Sequence, residues 1–158
     1  MEVRENQKGV SFDELVVPYL KDAKKIVITD PYIRLFHQIR NLMELMEGVV
    51  RQKKEDEEVI VELVTVEESD PEKSIHQRQN LDDIVSTMLT VGIKFSWSFA
   101  DKTSVHARHI ITDTGWKISL DRGLDVFQYY DFKDQFSLAT RNQKYRPCKA
   151  FEITYIRV

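Results

Sequence analysis

Two short runs of β-branched residues, each followed by a stretch of helical periodicity, constrain this chain most. Lys25-Ile26-Val27-Ile28-Thr29-Asp30, stopped by Pro31, reads as a short buried strand. From Leu35 to about Lys54, Leu35, Ile39, Leu42, Met43, Met46, Val49 and Val50 recur at helical spacing. Val59–Val66 is a second buried strand, and Pro71 opens another helix that runs to about Leu89 and closes at Gly92. Strand, helix, strand, helix is the pattern of a parallel pair with crossover helices. The second half is different. Phe95, Trp97 and Phe99 alternate with serines, and strands are expected at Val105–Thr112, Trp116–Asp121 and Lys149–Arg157. Thr114-Gly115 suits a tight hairpin turn between the first two of these. The expectation is one α/β domain with a mixed sheet flanked by helices.

The ends of this pattern are less regular. Residues 1–9 are polar and aperiodic, and are expected as a flexible lead-in or the trimmed end of a longer protein, with the domain spanning 10–158. Ser11 with Glu14 three residues on is a capping-box signature for a helix through about Ala23, bent by Pro18. Residues 122–148 are rich in aromatics and charges without a clear period.

Composition narrows the function classes. No apolar run approaches the ~18–20 residues of a membrane span, and the first residues lack a secretory pattern, so a cytoplasmic location is expected. The single Cys148 rules out an internal disulfide and a multi-cysteine zinc site. The four histidines have no metal-ligand spacing, so neither a metal nor a cofactor is expected. Net charge is only −3, which does not announce a nucleic-acid binder but leaves nucleic acid open. Residues 1–100 carry 13 Lys/Arg against 19 Asp/Glu, and residues 101–158 carry 10 against 7. An anion site is therefore better sought in the last third.

There, His106-Ala107-Arg108 is followed after four residues by Asp113. On a strand, His106 and Arg108 would project from one face, His109 from the other, and Asp113 would come at the turn. An imidazole beside a guanidinium fork suits phosphate oxygens. Lys117 and Ser119 on the next strand could reach the same polar face. The competing reading is a solvated strand face with a local ion pair to Asp113. His37 and His76 read as structural or exposed. Asp30-Pro31-Tyr32-Ile33-Arg34 stands at the carboxyl end of the first strand, where ligands of open α/β sheets gather. Arg34 could cap a phosphate there, or the segment could be only a strand-to-helix turn held by Pro31. Gly123, in Leu120-Asp121-Arg122-Gly123-Leu124-Asp125, permits a close backbone approach flanked by charges.

GVSFDELVVPYL, ITDPYIRLFHQIRNLME, SVHARHIITDTGWKISLDRGLDVF, QFSLA and YRPCKAFEITYI, in order from Gly9 to Ile156, together resemble the MIT C-terminal domain family. This is the family of the phospholipase D-like C-terminal domain of MIT-domain-containing protein 1. The resemblance implies a phospholipase D-like fold, usually homodimeric, that has lost catalysis and binds acidic phospholipids such as phosphoinositides at a membrane surface. It implies His106, Arg108, Lys117, Arg122 and Arg34 as phosphate or lipid contacts, and Asp30, Pro31, Tyr32, Gly123, Asp125 and Arg146 as structural motif residues. In the eukaryotic family a preceding MIT domain binds ESCRT-III tails in cytokinesis. That domain is not in this chain, so ESCRT-III binding does not carry over to these residues. Similar domains occur in bacteria.

Active phospholipase D enzymes carry two H-x-K-x(4)-D motifs and a G-S-x-N element. This chain has one motif, with Arg108 for lysine, and lacks the second element. No catalytic residue is expected. The enzyme alternative is a dimeric phosphodiesterase or nuclease using His106 oriented by Asp113. A third reading is a protein-interaction module working through the aromatic segment Phe127–Phe136, including in a bacterial protein.

Overall fold

The computed structural model describes all 158 residues. Its strands are β1 (Glu2–Val3), β2 (Lys25–Thr29), β3 (Val59–Thr65), β4 (Ile93–Phe99), β5 (His109–Thr112), β6 (Trp116–Leu120) and β7 (Phe151–Arg157). The helices are α1 (Phe12–Leu15), α2 (Phe36–Gln52), α3 (Pro71–Leu89) and α4 (Leu138–Arg141), with 3-10 turns at Val17–Leu20 and Gln143–Tyr145. One seven-stranded sheet has the order β1-β7-β6-β5-β2-β3-β4. The β2–β3 and β3–β4 pairs are parallel, and all others are antiparallel.

The helical periodicity explains the crossovers. Ile39, Leu42, Leu45, Met46 and Val49 are buried along α2, as are Leu81, Ile84 and Met88 along α3. Two successive crossovers that step the same way along a sheet put both helices on the same face. That face carries Ile26, Ile28, Val61, Leu63, Ile110, Ile118 and Ile153 in one core. Residues alternating with them, such as Ser96, Ile111, Thr154 and Ile156, stay exposed on the opposite face.

Pairing direction also fixes where loops meet. The carboxyl ends of β2, β3 and β4 share one edge of the sheet. Because Thr29 pairs with His109, and His109 with Ser119, the start of β5 and the end of β6 lie at that edge too. Residues 30–35, 100–108 and 121–126 therefore converge.

Three expectations need correction. Residues 1–9 are not a loose lead-in: Glu2–Val3 form an edge strand with Val3 buried, the Met1 amino group donates to the Ile153 carbonyl (2.9 Å), and Asn6 N donates to Cys148 O (2.8 Å). The Ser11–Ala23 helix is one turn plus a 3-10 turn, broken where Pro18 removes a donor. Ser11 makes no side-chain cap, its Oγ is buried without a partner, and Glu14 instead pairs with Lys144 (2.6 Å). The strand expected from Val105 begins only at His109, because the next β2-side position facing β5 after Thr29 is Pro31, which has no N–H to donate. The hairpin turn at Gly115 is present, with φ +97° and Gly115 N donating to Thr112 O (3.3 Å).

Candidate functional site

Asp30 organises the convergent edge. It is 1% exposed, and its carboxylate accepts from Tyr32 N (2.9 Å) and Leu124 N (2.8 Å), tying the DPYIR and RGLD segments together. Gly123 is obligatory above it: a Cβ there would stand 2.2 Å from Asp30 Oδ2, and φ is +61°. Burial pushes the Asp30 carboxyl up to about 6, against the opposing pull of those two backbone donors and of Arg108. Asp125 accepts from Gln38 Nε2 (3.2 Å) and Lys149 Nζ (3.0 Å). Gln38 in turn accepts from the backbone of Arg34 (3.2 Å) and Leu35 (3.0 Å), fixing the start of α2.

This scaffold holds Tyr32 between two arginines, with the Arg108 guanidinium 4.6 Å and the Arg34 guanidinium 5.3 Å from the ring centroid. Arg108 Nη2 donates to Tyr32 Oη (3.2 Å), and its Nη1 donates to Asp121 O. A cavity of about 160 Å³ opens beside them, lined on its polar side by Arg34, Lys102, His106 and Arg108, with Tyr32 and Val105 among its walls and no carboxylate. On the other side of His106 and Arg108, a more open hollow of about 410 Å³ contains Ser119, Thr154 and the acids Asp121 and Glu152. Of the two, only the smaller suits an anion.

The sequence-derived site residues divide on this geometry. His106, Arg108 and Arg34 come together, although His106 and Arg108 sit in a loop and not on a strand. Lys117 lies on β6 beside Ile111 and Ile156 and lines neither cavity, while Arg122 Nε is spent on Ala150 O (2.7 Å). Neither lines the smaller cavity. Asp113 stands at the other end of β5, about 13 Å along the strand from His109. There it accepts from Lys24 N (3.0 and 3.3 Å), so it does not orient His106. His109 stays on β5 with Nδ1 buried and unpartnered.

Arg146 is wholly buried in a two-pronged pair with Glu44 (2.5 and 2.8 Å), donates to Ala139 O (2.5 Å), and stacks on Tyr130 at 4.2 Å. It staples residues 139–140 to α2. Lys102 was missed by sequence reasoning, since a lone lysine in a polar loop carries no pattern. Glu44 was missed as one more charge on a helix. No three His, Cys, Asp or Glu side chains converge as metal ligands would, and no helix is long and apolar enough to cross a membrane.

Comparison with known proteins places this arrangement. The family model described as the phospholipase D-like domain at the C-terminus of MIT matches residues 9–157. The chain belongs to this family. It is also 29% identical over 149 residues to MIT domain-containing protein 1 of Mus musculus, covering 94% of this chain. The chain spans 57% of the length of that relative. The single α/β domain with its seven-stranded mixed sheet agrees with a phospholipase D-like fold.

Proposed function

We propose that this phospholipase D-like domain is a binding module for phosphorylated anions, and that its ligand is the headgroup of an acidic phospholipid at a membrane surface. The observation that carries the reading is the carboxylate-free cavity lined by Arg34, Lys102, His106 and Arg108. Arginine forks bind phosphate oxygens without readily giving up a proton, which suits retention better than turnover. The displacement of Asp113 from His106 supports binding over hydrolysis, because a nucleophilic or acid–base histidine needs an orienting partner. Peripheral membrane association follows from the same reading.

Vesicle flotation tests it. Phosphoinositide vesicles should retain the protein and neutral phosphatidylcholine vesicles should not, with loss of binding in Arg108→Glu. Equal behaviour on both vesicle types would remove the reading. A homodimer is part of this proposal, supported by the helix-free sheet face with exposed Ile111 and Ile156. Light scattering giving the mass of one chain at micromolar concentration would remove that part.

A further inference from the structure

Residues 131–140 form a loop pinned at its foot. Thr140 Oγ1 donates to Asp131 O (3.1 Å), and Arg40 Nη2 holds Thr140 O (2.9 Å). Two turns shape it, with Asp134 N on Asp131 O (3.1 Å) and Ser137 N on Asp134 O (3.3 Å). The Asp131 and Asp134 carboxylates fold back onto Lys133 N (3.0 Å) and Phe136 N (3.1 Å). Among exposed Asp131, Lys133, Asp134 and Gln135 the loop also presents two large apolar side chains, Phe136 at 92% exposure and Leu138 at 58%. Phe132 rests on the ring of Phe36 (centroids 4.9 Å), which is itself half exposed. Single exposed hydrophobics are ordinary, but aromatic and leucine side chains gathered on a pinned loop mark a docking surface.

The neighbourhood says what docks. Phe36, on which Phe132 rests, follows Arg34 of the phosphate cavity by two residues at the start of α2, which sets the loop beside that cavity. A bilayer offers phosphates above hydrocarbon and satisfies both parts together, with aromatics favoured at that boundary. Within Phe132–Leu138 the charged residues are Lys133 and Asp134, which cancel, so the inserting segment carries no net charge. We infer that the Phe132–Leu138 loop inserts into the acyl boundary of the same membrane whose headgroup the Arg34/Lys102/His106/Arg108 cavity holds. This rests on the headgroup reading proposed above and adds the element that penetrates.

The experiment has three arms on the full chain: vesicle binding, binding of a soluble inositol phosphate, and quenching by brominated phosphatidylcholine mixed with phosphoinositide. F136S/L138S should weaken vesicle binding by at least about tenfold, as removal of partly buried apolar side chains requires, and leave inositol phosphate binding unchanged. Phe136→Trp should add a fluorescence component quenched by shallow bromines, read above the Trp97 and Trp116 signal of the unmodified protein. Unchanged vesicle binding in F136S/L138S, or an unquenched Trp at 136, would overturn the inference and assign the loop to a protein partner. Absence of inositol phosphate binding in the unmodified protein would sink the headgroup reading instead, and the quenching arm would still decide the loop.

Discussion

Replacing Asp30 by Asn probes the joint on which the site is built. In the folded protein the Asp30 carboxyl sits at about 6 against an ordinary 3.8, because burial disfavours its charged form. A raised carboxyl means the folded state holds the proton more tightly than the unfolded state, so stability is highest at low pH. It falls as pH rises from about 4 through 6. At ~1.4 kcal/mol per unit the full effect is about 3 kcal/mol, of which about 2 kcal/mol falls between pH 4.5 and 7.5. Asn carries no titrating proton, and its amide nitrogen donates and cannot accept, so it replaces the acceptor of one of the Tyr32 and Leu124 N–H groups and leaves that buried donor unpaired at ~1–3 kcal/mol. Urea unfolding of both proteins at the two pH values isolates the residue, because other titrating groups cancel in the difference. Asp30→Asn should be clearly destabilising at pH 4.5 and less so, by about 2 kcal/mol, at pH 7.5. A destabilisation independent of pH, or one that grows with pH, would refute the claim that Asp30 is buried against its charge.

Gly123→Ala drives a methyl into the Asp30 carboxylate at a positive φ; thermal unfolding should show a loss of about 3 kcal/mol or more, or no folded protein. Arg146→Met strands the Glu44 carboxylate, and chemical unfolding should report about 3–5 kcal/mol, largely recovered when Glu44→Leu is added. Lys117→Glu and Arg122→Glu should leave phosphoinositide binding within about twofold by flotation, whereas Arg34→Glu and Lys102→Glu should each lower it severalfold. Bis-p-nitrophenyl phosphate should be turned over no faster by the unmodified protein than by His106→Ala; a rate that His106→Ala abolishes would restore the enzyme reading.

The first half of the fold was legible because β2, α2, β3 and α3 each bury a face whose period is written in Ile, Val and Leu. Edge pairing is not written that way. Glu2 and Val3 become a strand only because β7 offers an edge, and Val105–Arg108 fails to become one because β2 ends beside His109. That one shortened strand decides the site. It moves His106 and Arg108 into a loop, leaves Asp113 at the far end of β5, and brings in Lys102, which no spacing announced. The DPYIR and RGLD segments stood out through the family resemblance, but their link is two backbone donors on one buried carboxylate. No sequence period encodes such a contact.

The binding of a phosphorylated anion is tested most directly by an amide chemical-shift titration with a soluble inositol phosphate. Shifts should concentrate on Tyr32, Arg34, Lys102, His106 and Arg108, and disappear in Arg108→Glu. No saturable shifts, or shifts centred on Lys117 and the open sheet face, would contradict the account.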